Sequence, residues 1–282
     1  MTIDIICPLY NAEKDIENLN NSLIMQKNIK LNEIKYILTE SKDNTEKKLK
    51  DLNISFTKIK KEEFSHSLTR EKAAFASKAD IVVFITQDVK IKRDDWLYHL
   101  TKDIEEGTVD ASYSRQLCDN NTIEKYTREC NYPEKSKIVS KDDIEKLGLK
   151  TFFFSDAASA IKRETFVKLN GYDNKNLVIS EDMYIAYKII MNGYKIKYCA
   201  ESEVVHSHDF TLKQYYDRYK DTGKFFKENS YLNDYKVNQA GGNLALYILK
   251  RALQDKNWKV LVKYVPNMAA RFIGMKMGKI NG

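Results

Sequence analysis

The chain has 282 residues, of which 43% are hydrophobic and 31% are charged, a composition typical of a soluble globular protein. Three prolines and ten glycines leave little room for disordered linkers, and no run reaches the ~18 apolar residues of a membrane span. The formal net charge is +7. Residues 244–282 hold eight basic residues and one acidic residue, so this stretch carries the whole net charge of the chain.

The first part of the chain alternates between strand-like and helix-like patterns. Strands are predicted at residues 3–7, 34–38, 54–59 and 80–85, the first of them ending at Pro8. Helices are predicted at residues 13–26, 44–52, 68–79 and 94–106, with Asp94 as the cap of the last. This alternation predicts a parallel sheet, in which ligands bind at the carboxyl ends of the strands. Three predicted strands are followed there by Pro8 to Asn11, Thr39 to Ser41, and Thr86 to Asp88.

The middle of the chain is less regular, but it contains one well-defined helix signal. An apolar strand is predicted at residues 151–154. Ser180 is a favourable N-cap and Gly193 a favourable stop for the helix between them. Glu181 and Asp182 then occupy its first turn. Carboxylates at that place can simply interact with the helix dipole, or one of them can serve as a general base, and spacing alone leaves both interpretations open.

Two of the four histidines lie close together after a strand predicted at residues 195–200. His206 and His208 are two residues apart on an extended segment, so both imidazoles point the same way. With Asp88 they could bind a hard divalent cation such as Mg²⁺ or Mn²⁺. Surface or structural histidines and a polar strand end are the alternatives. Arg70 could contact a phosphate or be a solvated helix residue.

Several common signatures are absent from the sequence. Without GxGxxG or GxxxxGK[ST], a dinucleotide dehydrogenase or a P-loop enzyme is disfavoured, and a bound diphosphate would need a metal ion or basic side chains. No secretion signal is expected from the short apolar start, which no basic residue precedes. The cysteines form no CxxC pair, so we expect reduced thiols in a cytosolic protein. They are Cys7, Cys118, Cys130 and Cys199.

The C-terminal stretch mixes apolar and basic residues in a way typical of helices that lie on anionic membranes. Its apolar members include Trp258, Val260, Leu261, Val262, Tyr264, Phe272, Ile273 and Met275. Its basic members are Lys250, Arg251, Lys256, Lys259, Lys263, Arg271, Lys276 and Lys279. We expect this region to bind an anionic membrane surface. The alternative is a helical hairpin packed on the domain with its lysines in water.

A series of segments in the chain resembles the family 2 glycosyltransferases of the GT-A fold over residues 2–223. The segments, in order, are CPLYN, SKDNT, TREKAAFASKADIVVFITQDV, KRETFVKLNGYD, SEDMYIAYKIIMNGYKI and VVHSHDFTLKQYYDRYKDTG. The FxHxxTR and TQD forms and the tail RFIGMKMGK are most similar to bacterial rhamnosyltransferases of surface-polysaccharide assembly. The resemblance implies an α/β domain at 1–223, with a Rossmann-like, mostly parallel sheet flanked by helices. A helical extension would follow at 224–282.

The resemblance also implies where a nucleotide-sugar would bind. The implied contacts are Pro8, Tyr10, Asn11, Thr39, Glu40, Asp43, Arg70, Thr86, Gln87 and Asp88. The first three would line the nucleobase and ribose pocket, which Asp43 would support. The sequence departs from the family pattern twice here. Thr86 replaces the first aspartate of the Asp-x-Asp motif, and the second strand ends in LTESKD rather than paired aspartates, so Thr39 or Glu40 would stand in.

The metal site and the catalytic base follow from the same resemblance. Asp88 matches the second, metal-binding aspartate, His206 matches a histidine that completes the site, and His208 is a close second. Asp182 matches the base that deprotonates an acceptor hydroxyl, with inversion at the anomeric carbon. The other implied contacts are Asp156 and Glu181 to the acceptor or donor sugar and Arg218 to the diphosphate.

The function implied is transfer of one sugar, L-rhamnose from dTDP-rhamnose, to a lipid-linked or glycan acceptor at the cytoplasmic membrane face. A UDP-sugar donor is the alternative. The segment QYYDRY differs from the Gln-x-x-Arg-Trp of processive synthases, which together with the lack of membrane spans argues against a chain-extruding polymerase. We expect Mg²⁺ or Mn²⁺ as cofactor and no nucleic-acid partner, and a homodimer is a further expectation.

Three other classes of protein remain as alternatives. A nucleotidyltransferase shares the sheet type but needs a basic, glycine-rich loop after the first strand, and PLYNAEKD is not one. An inactive glycan-binding module fits the incomplete Asp-x-Asp motif. A membrane-bound scaffold explains the basic tail but not the combination of Asp88, Asp182 and His206.

Overall fold

The computed structural model describes residues 1–235 and 237–281. The strands are β1 Thr2–Leu9, β2 Lys30–Thr39, β3 Phe56–Ile59, β4 Ile81–Ile85, β5 Lys90–Ile91, β6 Ala111–Leu117, β7 Lys137–Val139, β8 Ala158–Lys162 and β9 Ile196–Val205. The helices are α1 Ile16–Ile24, α2 Thr45–Asp51, α3 His66–Ala76, α4 Trp96–Glu105, α5 Ile123–Asn131, α6 Ile144–Leu147, α7 Arg163–Lys168, α8 Glu181–Met191, α9 Leu212–Glu228, α10 Val237–Gln254 and α11 Trp258–Asn281. Short 3₁₀ turns occupy Lys61–Glu63, Lys141–Asp143, Gly148–Phe152 and Ser230–Tyr235.

The described strands form one sheet in the order β3-β2-β1-β4-β8-β6-β9-β5, with β7 beside β9. The first four are parallel, as the alternating sequence pattern predicts. β8 is antiparallel to both β4 and β6, and β9 is parallel to β6. Because β8 is antiparallel to both β4 and β6, strands β6 and β9 run in the same direction as β4. The carboxyl ends of β6 and β9 therefore lie at the same edge of the sheet as those of β1, β2 and β4.

Helices cover both faces of this sheet because side chains along each strand alternate between the faces. Ile5 of β1 packs in a buried cluster with Trp96 of α4, whereas its neighbour Ile6 belongs to a second cluster with Ile189 of α8. The two central parallel strands, β1 and β4, are buried on both faces, so their sequences read as nearly continuous apolar runs.

One predicted strand is absent from the structure. The apolar run at residues 151–154 is not a strand. Phe152 ends a 3₁₀ turn and packs edge-on against Tyr187 at 5.1 Å and Tyr235 at 4.9 Å. Strand β8 instead comes from the small residues that follow. A short apolar run does not distinguish a buried strand from a buried turn, so the aromatic partners decide.

Two predicted element ends also differ. Pro8 does not end the first strand, since β1 continues to Leu9. The β1–β4 pairing stops at Ile6, so the proline, which lacks an N–H, lies beyond that ladder. Asp94 does not cap α4: Asp95 precedes the helix, and the Asp94 carboxylate lies 2.6 Å from the Lys27 ammonium instead.

The C-terminal helices pack on the domain along one side. Helix α9 continues through residue 223, where the sequence analysis places a domain boundary, and α11 packs along it. Glycines permit this close contact: a Cβ atom on Gly278 would overlap the carbonyl oxygen of Lys220, and one on Gly274 that of Tyr216. The side of α11 that faces α9 therefore packs on the domain, as in the packed-hairpin alternative. The domain boundary at 223 stays a prediction.

No helix among the described residues is long and apolar enough to span a membrane. The four cysteines are free thiols, as the sequence predicts.

Candidate active site

Asp88, His206 and His208 meet at the carboxyl edge of the sheet. Asp88 follows β4, and the two histidines follow β9. The Nε2 atom of His206 lies 3.5 Å from one oxygen of Asp88, and the Nδ1 atom of His208 lies 3.8 Å from the other. One ligand atom from each residue falls within 4.8 Å of the other two, so this group could hold a metal ion. We call these three residues the metal group.

The electrostatics of the metal group suit a cation. Burial acts to raise the pKa of Asp88, but the hydrogen bond and charge of His206, with the charge of His208, bring it well below the ordinary carboxyl value. Burial lowers the pKa of His208 to about 4, and the neighbouring His206 adds to that shift. An ionised carboxylate beside a neutral imidazole is a donor set that divalent metals accept.

The orientation of His206 is fixed by residues that the sequence analysis did not single out. The Nδ1 atom of His206 lies 2.9 Å from Oε1 of Gln116 in β6. Arg128 of α5 donates to the same oxygen, and the Gln116 amide nitrogen donates to Ser155 at 2.8 Å. With its oxygen turned to the histidine, Gln116 requires the proton on Nδ1. The Nε2 atom then faces Asp88, so it is the ring nitrogen of His206 that is placed to bind a metal.

The second histidine is held by the loop before α5 and by an aromatic stack. The side-chain nitrogen of Asn120 donates to the carbonyl oxygen of His208 at 3.0 Å. The ring of Phe210 stacks on His208 with centroids 4.7 Å apart, and the guanidinium of Arg218 lies 4.9 Å from the Phe210 centroid. Arg218 is exposed and forms no ion pair within residues 1–235 and 237–281. Its charge is therefore available to an anionic ligand.

A second group of charged residues lies at the start of α8. Arg70 is buried in the middle of α3, where its NH1 atom lies 3.3 Å from Glu181 and donates to the His66 carbonyl at 2.8 Å. The interpretation of Arg70 as a solvated helix residue is therefore wrong. Asp156 is buried too, and its oxygens accept from Tyr172 at 2.6 Å and Ser159 at 2.8 Å. We call Arg70, Asp156, Glu181 and Asp182 the acid cluster.

Glu181 and Asp182 form the first turn of α8, as predicted, and Gly193 follows the helix with φ +83°. Ser180 precedes the helix, but its side chain makes no capping bond and its φ is 62°. Ser180 therefore occupies the N-cap position, as predicted, but supplies no capping hydrogen bond from its side chain. This left-handed turn sets the direction in which the helix leaves the loop, and the backbone N–H of Met183 donates to Asp182 at 2.7 Å.

Crowding raises the pKa values in the acid cluster. Burial raises the pKa of Asp156 to about 6 against the opposing charge of Arg70. Burial also raises the pKa of Glu181, which Arg70 opposes, and it raises that of Asp182 well above the ordinary value, with the charges of Glu181 and Asp156 adding to the shift. Three carboxyl groups share one guanidinium, so a proton is readily held among them. Such a carboxylate is basic enough to accept a proton from a hydroxyl.

The acid cluster and the metal group are neighbours. The charge of Arg218 lowers the pKa of both His208 and Glu181. A second link runs through Tyr132, whose ring lies 5.7 Å from the Arg128 guanidinium and whose pKa is raised by burial and, in part, by the charge of Asp182. Ala158, two residues after Asp156, pairs with Ile85 of β4, so Asp156 of the acid cluster lies at the same edge of the sheet as Asp88.

The loops after β1, β2 and β4 are tied together by side chains. The Tyr10 N–H donates to Gln87 Oε1 at 2.7 Å, and the Gln87 amide donates back to the Tyr10 carbonyl at 2.8 Å. Asn11, with φ 50°, receives a bond from the Lys42 N–H at 3.0 Å, and its own N–H donates to Ser41 at 2.9 Å. The phenol ring of Tyr10 is left 39% exposed beside these loops.

The other residues expected to contact a nucleotide lie at the same edge of the sheet. Thr39 is buried at the end of β2, and no hydrogen-bond partner is present for its hydroxyl among the described residues. Glu40 follows it and is exposed, and Thr86 follows β4. Asp43 accepts from the Glu13 N–H at 3.1 Å and from the Thr45 hydroxyl at 2.6 Å, so it fixes the loop before α2.

Comparison with known proteins identifies the family. The family model described as glycosyl transferase family 2 matches residues 4–169, more than half of the chain. The chain belongs to glycosyl transferase family 2. The resemblance seen in the sequence is thereby confirmed.

Two curated relatives match this family 2 glycosyltransferase along almost its whole length. The O-antigen chain rhamnosyltransferase RfbN of Salmonella typhimurium is 35% identical, covering 99% of this chain and 90% of the relative. The O-antigen chain rhamnosyltransferase WbaN of Salmonella anatum is 33% identical, covering 98% of this chain and 88% of the relative.

Solved structures show the same fold at low sequence identity. The mannosyltransferase PcManGT of Pyrobaculum calidifontis, solved with GDP-Man and Mn²⁺, has a TM-score of 0.66 at 18% identity, covering 99% of this chain and 86% of that one. S. aureus TarS with UDP-GlcNAc has a TM-score of 0.58 at 15% identity, covering 100% and 91%. The GT-A fold expected from the sequence is confirmed, with helices on both sides of the sheet and a helical C-terminal region.

The site of this family 2 glycosyltransferase thus contains Gln116 and Arg128 in addition to the residues named from the sequence. No local signal marks them. Gln116 lies in a strand that was not predicted, 90 positions before the histidine it contacts. Their role depends on the pairing of β6 with β9, which the sequence pattern does not reveal.

Proposed function

We propose that the protein transfers a single L-rhamnose unit from dTDP-rhamnose to a hydroxyl group of a lipid-linked or glycan acceptor, with inversion at the anomeric carbon. The observation that carries the proposal is that the metal group and the acid cluster lie at one edge of a glycosyltransferase sheet. The reaction would take place at the cytoplasmic face of the membrane.

Asp88 and His206, with His208 as a third ligand, would hold Mg²⁺ or Mn²⁺. The donor set fits such an ion, because the pKa of Asp88 lies well below the ordinary carboxyl value, Nε2 of His206 faces Asp88, and burial lowers the pKa of His208 to about 4. When bound, the ion would supply positive charge to the departing diphosphate. Arg218, which is exposed and beside His208, would contact the same phosphates.

Asp182 would act as the base. The acceptor hydroxyl loses its proton to the Asp182 carboxylate while its oxygen forms a bond to the anomeric carbon. The bond from that carbon to the diphosphate oxygen breaks, and its electron pair leaves with the nucleoside diphosphate. Glu181 and Asp156 lie next to the base, where they would contact a sugar hydroxyl or support the base through Arg70.

The nucleobase and ribose would lie against the tied loops after β1 and β2. Tyr10 offers an exposed aromatic ring for stacking, while Asn11, Pro8 and the end of β2 at Thr39 and Glu40 border the same space. The preference for dTDP-rhamnose is supported by the two rhamnosyltransferases that match almost the whole chain. A UDP-sugar donor is the second candidate, because TarS, of the same fold, is solved with UDP-GlcNAc.

A binding panel tests the donor. The purified chain is titrated with dTDP-L-rhamnose, UDP-glucose, UDP-GlcNAc and GDP-mannose, with Mn²⁺ or with a chelator. We expect dTDP-L-rhamnose to bind most tightly, and only with the metal. Tighter binding of another nucleotide-sugar would contradict the assignment of dTDP-L-rhamnose and identify that compound as the donor. Transfer is then followed with that donor and lipid-linked saccharides extracted from bacterial membranes, and product with a retained anomeric configuration would contradict inversion.

A further inference from the structure

Helix α11 leaves one whole side uncovered. Its inner side, which includes Val260, Asn267, Arg271, Gly274 and Gly278, is buried against the domain. The side opposite carries six large apolar residues that are between 51% and 78% exposed. These residues, which we call the outer face of α11, are Trp258, Val262, Val265, Phe272, Ile273 and Ile280.

The outer face is a continuous stripe and not a scatter of single residues. With 3.6 residues per turn, its six members fall within a sector of about 100° around the helix axis. The buried residues fall in the opposite sector. The helix has 24 residues, which gives the stripe a length of about 36 Å. An exposed apolar surface of this size on a soluble domain marks a binding surface.

The charge around the outer face has one sign. Three exposed lysines of α11, Lys259, Lys263 and Lys276, lie within the stripe or to one side of it, whereas Lys279 donates to Asn233 at 2.9 Å. No acidic residue occurs between 256 and 282. The last one before them, Asp255, is already paired with Lys125 at 3.0 Å and with Arg251 at 3.2 Å. The surface thus combines apolar side chains with uncompensated positive charge.

We propose that the outer face of α11 docks on an anionic phospholipid surface, with the helix lying parallel to the membrane. Apolar side chains would enter the boundary between headgroups and acyl chains, while the lysines meet lipid phosphates. A second copy of the chain fits this face less well. In a symmetric pair the two outer faces would bring lysines against lysines with no carboxylate between them.

The docking surface is separate from the transfer chemistry but joined to it structurally. The inner side of α11 packs on α9, the helix that carries Arg218. Arg271 also pairs with Glu124 of α5 at 3.4 Å, and α5 carries Arg128. The helix that binds the membrane would therefore be in direct contact with α9 and α5, the helices that carry Arg218 and Arg128. The proposal itself needs only α11, and its test does not depend on the donor or the reaction.

The chain contains its own probe for the test. It has two tryptophans: Trp96 is fully buried, whereas Trp258 lies on the outer face and is 70% exposed. Quenching by acrylamide therefore reports Trp258. We expect the full chain to float with phosphatidylglycerol–phosphatidylcholine vesicles, with a blue shift of its emission and loss of quenching. Pure phosphatidylcholine vesicles should bind it at least about tenfold more weakly, because the lysines then meet no net negative surface.

Variants assign the binding to this face. Val262→Ser with Phe272→Ser should weaken vesicle binding by more than about tenfold, since both side chains would otherwise leave water. The matched control is Ile24→Ser with Met25→Ser, two residues at the end of α1 that are 59% and 64% exposed. It should bind as the unchanged protein does. All substituted residues are exposed, so thermal unfolding should be nearly unchanged.

Three outcomes would overturn the proposal. The first is a full chain that binds no anionic vesicle, and the second is an α11 variant that binds as tightly as the unchanged protein. The third is a dimer in sedimentation analysis that the α11 substitutions dissociate, without vesicle binding by either form. That result would assign the outer face to a second copy of the chain.

Discussion

The Nδ1 atom of His206 lies 2.9 Å from the Oε1 atom of Gln116. This contact joins a residue after β9 to a residue of β6, the strand beside it in the sheet. It fixes the imidazole with Nε2 toward Asp88, 3.5 Å away. The Gln116 amide is in turn held by Arg128 and Ser155, so the orientation of the histidine is determined before any ion binds.

The first prediction concerns this contact. Gln116→Leu removes the acceptor and leaves the imidazole free to turn, so Mn²⁺ should bind about 10- to 100-fold more weakly. Gln116→Glu keeps an acceptor at the same place and should retain most of the affinity. Isothermal titration with Mn²⁺ measures both variants, with thermal unfolding as the check on folding. Equal affinity of the folded leucine variant and the unchanged protein would refute a positioning role.

The second prediction separates the two polar ends of the TQD segment. Asp88→Ala removes the ionised ligand, and we expect metal-dependent transfer to be abolished together with Mn²⁺ binding. Thr86→Ala removes only a hydroxyl at the position of the missing aspartate and should cost far less. Electron paramagnetic resonance of Mn²⁺ reads binding without requiring turnover. A threonine variant as defective as the aspartate variant would show that the metal site is wrongly assigned.

The third prediction is a pH shift. The charge of Arg70 lowers the pKa of Asp156, Glu181 and Asp182, so its removal in Arg70→Met raises all three. The base is then ionised only at higher pH, and the acid limb of the kcat profile should move to higher pH. Arg70→Lys keeps the charge and should leave the limb closer to its original place. An acid limb at the same pH in Arg70→Met and in the unchanged protein, both at saturating donor, would contradict this prediction.

The fourth prediction tests the contact between α9 and α11. Gly278→Ala places a Cβ atom against the Lys220 carbonyl oxygen and should destabilise the protein by about 1–3 kcal/mol. Gly242→Ala is the matched control, because a Cβ atom at that glycine of α10 meets nothing within 4 Å. It should be neutral or stabilise the fold by up to about 1 kcal/mol. Urea unfolding compares them, and equal stability would contradict the close packing.

Most of the helices and strands that the local residue pattern determines can be predicted from the sequence. Strands β1 and β4 read as apolar runs because both of their faces are buried, and α8 is marked by its first turn and by Gly193. The same reasoning brings Asp88, His206 and His208 to one edge, since each follows a strand. The residue pattern does not show which side chains, distant in sequence, pack against each other. Phe152 looked like part of a strand because its aromatic partners, Tyr187 and Tyr235, lie far along the chain.

Site residues on elements that were not predicted could not be found in this way. Gln116 and Arg128 are ordinary polar residues until β6 is inserted between β8 and β9, and nothing near them signals a metal site. Arg70 was ambiguous for a related reason. A helical arginine is usually solvated, and only its partner Glu181, 111 positions later, accounts for its burial.

Activity of Asp182→Asn is the most direct test of the account, measured with dTDP-L-rhamnose, Mn²⁺ and lipid-linked saccharides from bacterial membranes. The asparagine keeps the shape of the side chain but cannot accept the acceptor proton. Transfer should fall by about 10²- to 10⁴-fold while the affinity for the donor and for Mn²⁺ is retained. Transfer by Asp182→Asn at the rate of the unchanged protein would contradict the assignment of Asp182 as the base.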